Sequence, residues 1–192
     1  MLQYAAILPG QPDNHPSCPL QGSIGTPDCL PYLLAEKNVA LFAVHGVFSE
    51  TELRSRCEIL EENYAKIVTI EARTMLSMAN RAILPAVSRY TAEVSEHIAK
   101  KSQMSLDTSY ERDLAERLSA HTAAAHADAE ALADAVSALA DTATAAARAA
   151  HCRDALLPAM DALRREIDAL EPLTDAAVWP YPTYGELLYG VR

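Results

Sequence analysis

Between Val47 and Tyr184 the chain has no glycine, and from Val47 to Glu171 only Pro85 and Pro158 could interrupt regular structure. A β-sandwich or barrel of that length must reverse direction every ten residues or so, and its tight turns draw on glycine, proline and asparagine. The stretch is therefore helical. Composition agrees: half the 192 residues are hydrophobic but only 6% are aromatic, and alanine and leucine carry most of the apolar count. Those residues favour helix packed on helix. The expected fold is all-α: a long, kinked, mostly antiparallel helical bundle with a short N-terminal helix and an aromatic, proline-containing C-terminal tail.

Three segments follow from the punctuation. Residues 1–27 hold five of the eleven prolines and three of the six glycines, and read as loop or disorder. Residues 28–178 form the bundle, opening with a short helix over "DCLPYLLAEKNVALFAVHG" that Gly46 stops. Ser49 and Glu52 in "SETE" then make a capping box that starts a new helix. This helix runs through Pro85 to about Lys101, with Leu53, Cys57, Leu60, Tyr64, Ile67, Val68, Met75, Met78 and Ile83 on more than one face, so it is expected as a spine buried from several sides. If unbroken it exceeds 50 residues, roughly 75 Å at ~1.5 Å each. A second helix begins near Asp107, and a third covers about 143–171, with Asp141 and Thr142 as the turn between them. "AILPAV" at 82–87 and "ALLPAM" at 155–160 are near-copies, which predicts paired interruptions at Pro85 and Pro158, at equal heights in helices one and three. Acid-to-base pairs four residues apart (Glu52–Arg56, Glu62–Lys66, Glu96–Lys100, Asp113–Arg117, Asp161–Arg165) mark the wet side. Residues 179–192 are the tail.

A formal net charge of −10 is adverse to nucleic acid and to anionic membrane surfaces. No apolar run approaches the ~20 residues that cross a bilayer, and "MLQYAAILPG" lacks the basic start of a signal peptide. Cys18, Cys29, Cys57 and Cys152 show no metal or redox spacing and read as free thiols of a cytoplasmic protein. No phosphate-binding glycine loop, zinc-protease motif or nucleophile elbow is present. His121 and His126 lie about 140° apart on a helix, and His151 and Cys152 diverge as neighbours. Glu61, Glu62 and Glu71 lack the Glu-x-x-His partners of a di-metal bundle, and Glu93, Glu96 and His97 have the wrong spacing.

Four stretches in order carry a resemblance: "TPDCLPYLLAEKNVALFAVHGVFSETEL", "RCEILEENYAKIVTIEARTMLSMANRAILPAV", "RDALLPAMDALR" and "LEPLTDAAVWPYPTYGELLYG". Together, from Thr26 to Tyr189, they resemble the C-terminal region of type III glutamine synthetases, large bacterial members of the ATP-dependent glutamate–ammonia ligase family. The resemblance implies a helical region that serves assembly and stability of an oligomer. The family's ATP, magnesium and glutamate sites lie in an upstream barrel that no position here matches. No catalytic, cofactor-binding or metal-binding residue is therefore assigned to this chain, and alone it is expected to make no glutamine. Its expected partners are the catalytic domain or subunits of a glutamine synthetase. The other reading is a stand-alone helical adaptor that binds proteins, and an upstream reading frame encoding the barrel would separate the two.

The tail gives the docking candidates. Pro172 ends the last helix and "LTDAAV" makes a turn. In "WPYP" the prolines hold Trp179 and Tyr181 extended. Thr183 and Glu186 then cap a helical turn through "YGELLY", bringing Tyr184, Leu187 and Leu188 alongside. Trp179 is the expected anchor, against the bundle or against a partner subunit.

Overall fold

A computed structural model describes residues 25–182 and 184–190. No strand occurs among them, and the architecture is all-α. Of the loop expected over 1–27, residues 1–24 lie outside the described residues, as does the Thr183 cap, while Thr26 and Pro27 already belong to the first helix, Pro27 being tolerated in its opening turn. The chain divides into two compact units, Met1–Cys57 and Glu58–Arg192.

The first unit holds α1 (Thr26–Leu33), α2 (Glu36–Val44) and the start of α3 (Glu50–Met78). The single helix expected before Gly46 is thus two helices. They part at Leu34, where backbone torsions of φ −90° and ψ 3° turn the chain, and the Asn38 side-chain amide donates back to the Tyr32 carbonyl at 2.6 Å. Gly46 does stop α2. At φ 60° its N–H donates to Ala43 O, while the next N–H, of Val47, reaches Phe42 O at 3.0 Å, a Schellman closure. Ser49 caps α3 as expected: its N–H donates to Glu52 Oε2 at 2.7 Å and its Oγ accepts from the Glu52 N–H at 3.3 Å. Glu52 thus serves the cap, and Arg56 sits over the Phe48 ring, 4.3 Å from its centroid.

The second unit is the bundle. From α3 the helix continues through a π turn (Ala79–Ile83) into α4 (Leu84–Gln103). Next come α5 (Ser109–Ser137), a 3-10 turn (Ala138–Asp141), α6 (Ala145–His151), a second π turn (Cys152–Leu156) and α7 (Leu157–Leu170). A 3-10 turn (Glu171–Leu173) leads to α8 (Tyr184–Tyr189). The prolines explain the π turns. A proline ring collides with the carbonyl four residues back, Arg81 for Pro85 and Asp154 for Pro158, and both carbonyls lie inside the π turns. Widening the turn moves them away, with Leu84 N–H bonding Ala79 O and Leu157 N–H bonding Cys152 O, five residues back in each case.

The core is continuous from Ala65, Val68 and Ala72 of α3 through Val87 and Val94 of α4 and Leu118, Ala125, Ala129 and Leu132 of α5. It ends on Cys152, Leu156, Leu163 and Leu170. Alanines at the contacts let the helices approach closely, and α5 packs on both α4 and α7. Polar ties cross the seams: His121 Nδ1 is 2.8 Å from Glu166 Oε2, and His151 Nε2–H donates to the Ala135 carbonyl at 2.9 Å. The thiol of Cys152 points at the Ala65 carbonyl, 3.8 Å away, and burial pushes its pKa up. It is a packing residue, not a reactive one. On the wet side Glu62–Lys66, Glu96–Lys100 and Asp113–Arg117 pair as expected, while Arg164 pairs with Asp168.

The spine differs from expectation. Leu60, Ile67 and Met78 of α3 are exposed, because only the Ala65–Val68–Ala72 side faces the bundle.

The end of α4 repeats the Schellman closure with the wrong residue. Ser105 sits at φ 54°, its N–H on Ser102 O and the Leu106 N–H on Lys101 O at 3.0 Å. A side chain in this left-handed region costs ~1–2 kcal/mol. Ser105→Gly is therefore expected to stabilise the fold by about 1 kcal/mol, and Gly46→Ser to destabilise it by about as much, measured as opposite shifts of the urea midpoint. No atom lies within 4 Å of a Cβ built on Gly46, so torsion alone is tested there.

Four carboxylates are held below their ordinary pKa. The Ser49 N–H does this for Glu52, the Ser109 hydroxyl for Asp107, the Lys101 ammonium for Glu111 and the Arg153 guanidinium for Asp154. A depressed folded pKa contributes stability above the unfolded value, lost as pH falls through the folded one. Glu61, raised by burial, acts in the opposite sense and contributes only at low pH. Thermal midpoints are thus expected to hold from neutral pH to about pH 5 and to fall below about pH 4, with Glu111→Gln flattening part of the fall. A midpoint unchanged down to pH 3 contradicts this.

Candidate docking surface

The tail is built on one buried threonine. After the 3-10 turn, Thr174 Oγ1–H donates to the Leu170 carbonyl at 2.8 Å, closing α7 with a side chain that is 7% exposed. Asp175 then folds the "LTDAAV" turn: its carboxylate accepts from the Ala177 N–H at 2.7 Å, and its carbonyl from the Val178 and Trp179 N–H groups at 2.9 and 3.0 Å. The turn sends the chain back over the bundle. Trp179 and Tyr181 are partly buried and pack on the core cluster. Burial above all, and then Tyr110 and the charges of Asp175 and Glu93, raise the pKa of the Tyr90 phenol on α4.

The remaining sequence candidates separate from these two. Leu187 and Leu188 of α8 are more than half exposed, as is Tyr189. Tyr184 opens α8, and its side chain lies outside the described residues. The inner half of the tail therefore rests on the bundle while its last turn presents apolar groups to solvent. Pro85 lines a shallow groove between α4 and α5 with Ser88, Thr91, Ser119, Thr122 and His126, whereas Pro158 is exposed beside Asp161, Arg164 and Arg165 of its own helix. The groove offers little to a ligand, since the Thr91 and Thr122 hydroxyls already donate to Val87 and Leu118 carbonyls at 2.9 and 2.6 Å.

Reading by chemistry alone missed a second apolar surface. Ile59, Leu60, Ile67, Ile70 and Met78 form an exposed stripe along α3. Its signal in the sequence is the seven-residue step from Leu60 to Ile67 followed by three to Ile70. Among the described residues no three His, Cys, Asp or Glu side chains converge to hold a metal ion, and no helix is long and apolar enough to cross a membrane.

Comparison with known proteins adds the remaining finding. Residues 19–102, which include α1 to α4 save its last residue, match the profile of the glutamine synthetase C-terminal domain. A glutamine synthetase of Butyrivibrio fibrisolvens is 37% identical over 78 residues, covering 41% of this chain and 11% of that protein. A type-3 glutamine synthetase of Dictyostelium discoideum is 36% identical over 73 residues, covering 38% of this chain and 10% of that protein. The aligned region thus spans about a tenth of the length of these curated relatives. Of the four resembling stretches, the first two lie inside the matched residues and the last two beyond them.

Proposed function

We propose, from the premise that residues 19–102 form a glutamine synthetase C-terminal domain, that this chain is the helical C-terminal region of a type III glutamine synthetase and acts in its assembly and stability. The reaction of such an enzyme, joining ammonia to glutamate at the expense of ATP, belongs on this reading to a catalytic body that the helices support. Magnesium and ATP would be held there, in a cytoplasmic oligomer, and not by residues of the bundle. The observation that carries the reading is the domain match together with apolar groups left in solvent by an otherwise well-packed fold: the α3 stripe and Leu187, Leu188 and Tyr189 of α8.

Two results test it. The purified chain, given ATP, magnesium, glutamate and ammonium, is expected to give a helical circular-dichroism spectrum and no glutamine above background. Co-expressed with the catalytic body of a type III synthetase lacking its own helical region, the chain is expected to co-purify with that body and raise its melting temperature. Glutamine formation by the chain alone refutes the first expectation. A folded chain that leaves the body's mass and melting temperature unchanged points to the stand-alone adaptor instead.

A further inference from the structure

The aliphatic stripe of α3 has the spacing of a helix–helix seam. Ala65, Val68 and Ala72 face the core with at most 1% exposure, while on the opposite side Leu60, Ile67 and Ile70 are 45%, 54% and 63% exposed, with Ile59 and Met78 at the flanks. Leu60 and Ile67 stand seven residues apart and Ile70 three further on, so they occupy successive a, a and d places of a heptad. Asn63 takes the d place between the first two, and Thr74 the next a place. In this frame the core-facing alanines fall at the f positions, behind the seam. The bundle therefore stands at the back of α3 and leaves its front open.

The charges beside the seam select the occupant. Lys66 is at g and Glu71 at the e place five residues later. In a parallel pair of identical helices, g faces the e position five residues on in the other strand, so Lys66 of each copy meets Glu71 of the other. An antiparallel pair sets g against g, where this helix carries Lys66 and Arg73, both basic. Lys66 is 65% exposed and now bridges Glu62 at 3.1 Å, a surface contact worth too little to hold it back. Asn63, facing its own copy, would help to fix the register, with Thr74 and Ser77 the other polar seam places towards the C-terminal end.

We propose that this stripe is a homotypic docking surface: two copies of the chain pair in parallel along the first half of their spine helices, with Leu60, Ile67 and Ile70 in the seam and Lys66–Glu71 pairs at its sides. Contact along about three heptads sits at or below the ~1,200 Å² of a stable interface, so the pairing is reversible and concentration-dependent. It does not depend on the synthetase reading, because the stripe and its charges are properties of this chain alone.

Sedimentation equilibrium of the full chain, from micromolar to near-millimolar concentration, tests the pairing. The parent is expected to pass from monomer to dimer. The double change Ile67→Asp/Ile70→Asp is expected to stay monomeric throughout with an unaltered far-UV circular-dichroism spectrum, since both positions are exposed. Lys66→Glu alone is expected to weaken the dimer about tenfold, and Lys66→Glu/Glu71→Lys to restore it. A parent that is monomeric at every concentration overturns the proposal, as does a dimer indifferent to the paired aspartates. Failure of the double reversal to restore the weakened dimer overturns the parallel arrangement.

Discussion

Leu118→Ala is expected to lower the thermal midpoint by about 5–15 °C. Leu118 is fully buried in α5, the helix packed against both α4 and α7. Truncating a buried leucine costs about 2–5 kcal/mol, the upper part arising where neighbours cannot fill the hole. Here they are poorly placed to do so. Ala125 and Ala129 further along α5 are buried alanines with no side chain to swing across. His121 one turn away ties α5 to Glu166 of α7 and resists collapse of the two helices. At roughly 2–4 °C per kcal/mol for a chain of this size, the range follows. Leu118→Met, nearly conserving volume, should cost under about 1.5 kcal/mol. A Leu118→Ala midpoint within a degree of the parent contradicts the packing described.

The tail should respond almost as strongly. A fully buried tryptophan removes on the order of 200 Å² from water, and ~25 cal/mol per Å² makes that about 5 kcal/mol before entropy. Trp179 is partly buried, so about 2–3 kcal/mol is the expected cost of Trp179→Ala, read as a lower melting temperature. Deleting 179–192 should cost at least as much. The prolines on either side of Tyr181 restrict the unfolded tail and so reduce the entropy lost when it docks. If the truncated and Trp179→Ala proteins both match the parent in melting temperature and in mass, the tail is not a docking element.

What could be read from the sequence was local. The Ser49–Glu52 box and the Gly46 stop depend on residues three or four apart, and both were legible because their chemistry permits few alternatives. The break at Leu34 was not, since Leu34 and Ala35 are ordinary residues and the turn closes on the carbonyl of Pro31, a proline that itself sits inside α1. Burial around α3 was illegible for another reason: Ile67 and Val68 are adjacent aliphatics, one in solvent and one in the core, and helical periodicity cannot say which side meets the bundle. The prolines announced interruptions but not their form. Within the tail, Trp179 and Tyr181 stood out through size and proline context, while the exposure of Leu187 and Leu188 depends on what lies beyond the helix they sit on.

The two π turns also let the long helices keep their phase on losing a residue at two internal points. A π turn holds one residue more than α-helix spanning the same stretch. Losing a residue from 79–83 or 152–156 would convert it to regular α-helix and leave the faces before and after it in phase. The same loss elsewhere in α4 or α7 would rotate everything beyond it by about 100° and carry Val94 or Leu163 out of the core. These long helices therefore contain two sites where one codon can be lost without refacing the helix, each set just ahead of a proline whose collision with the carbonyl four residues back would then return.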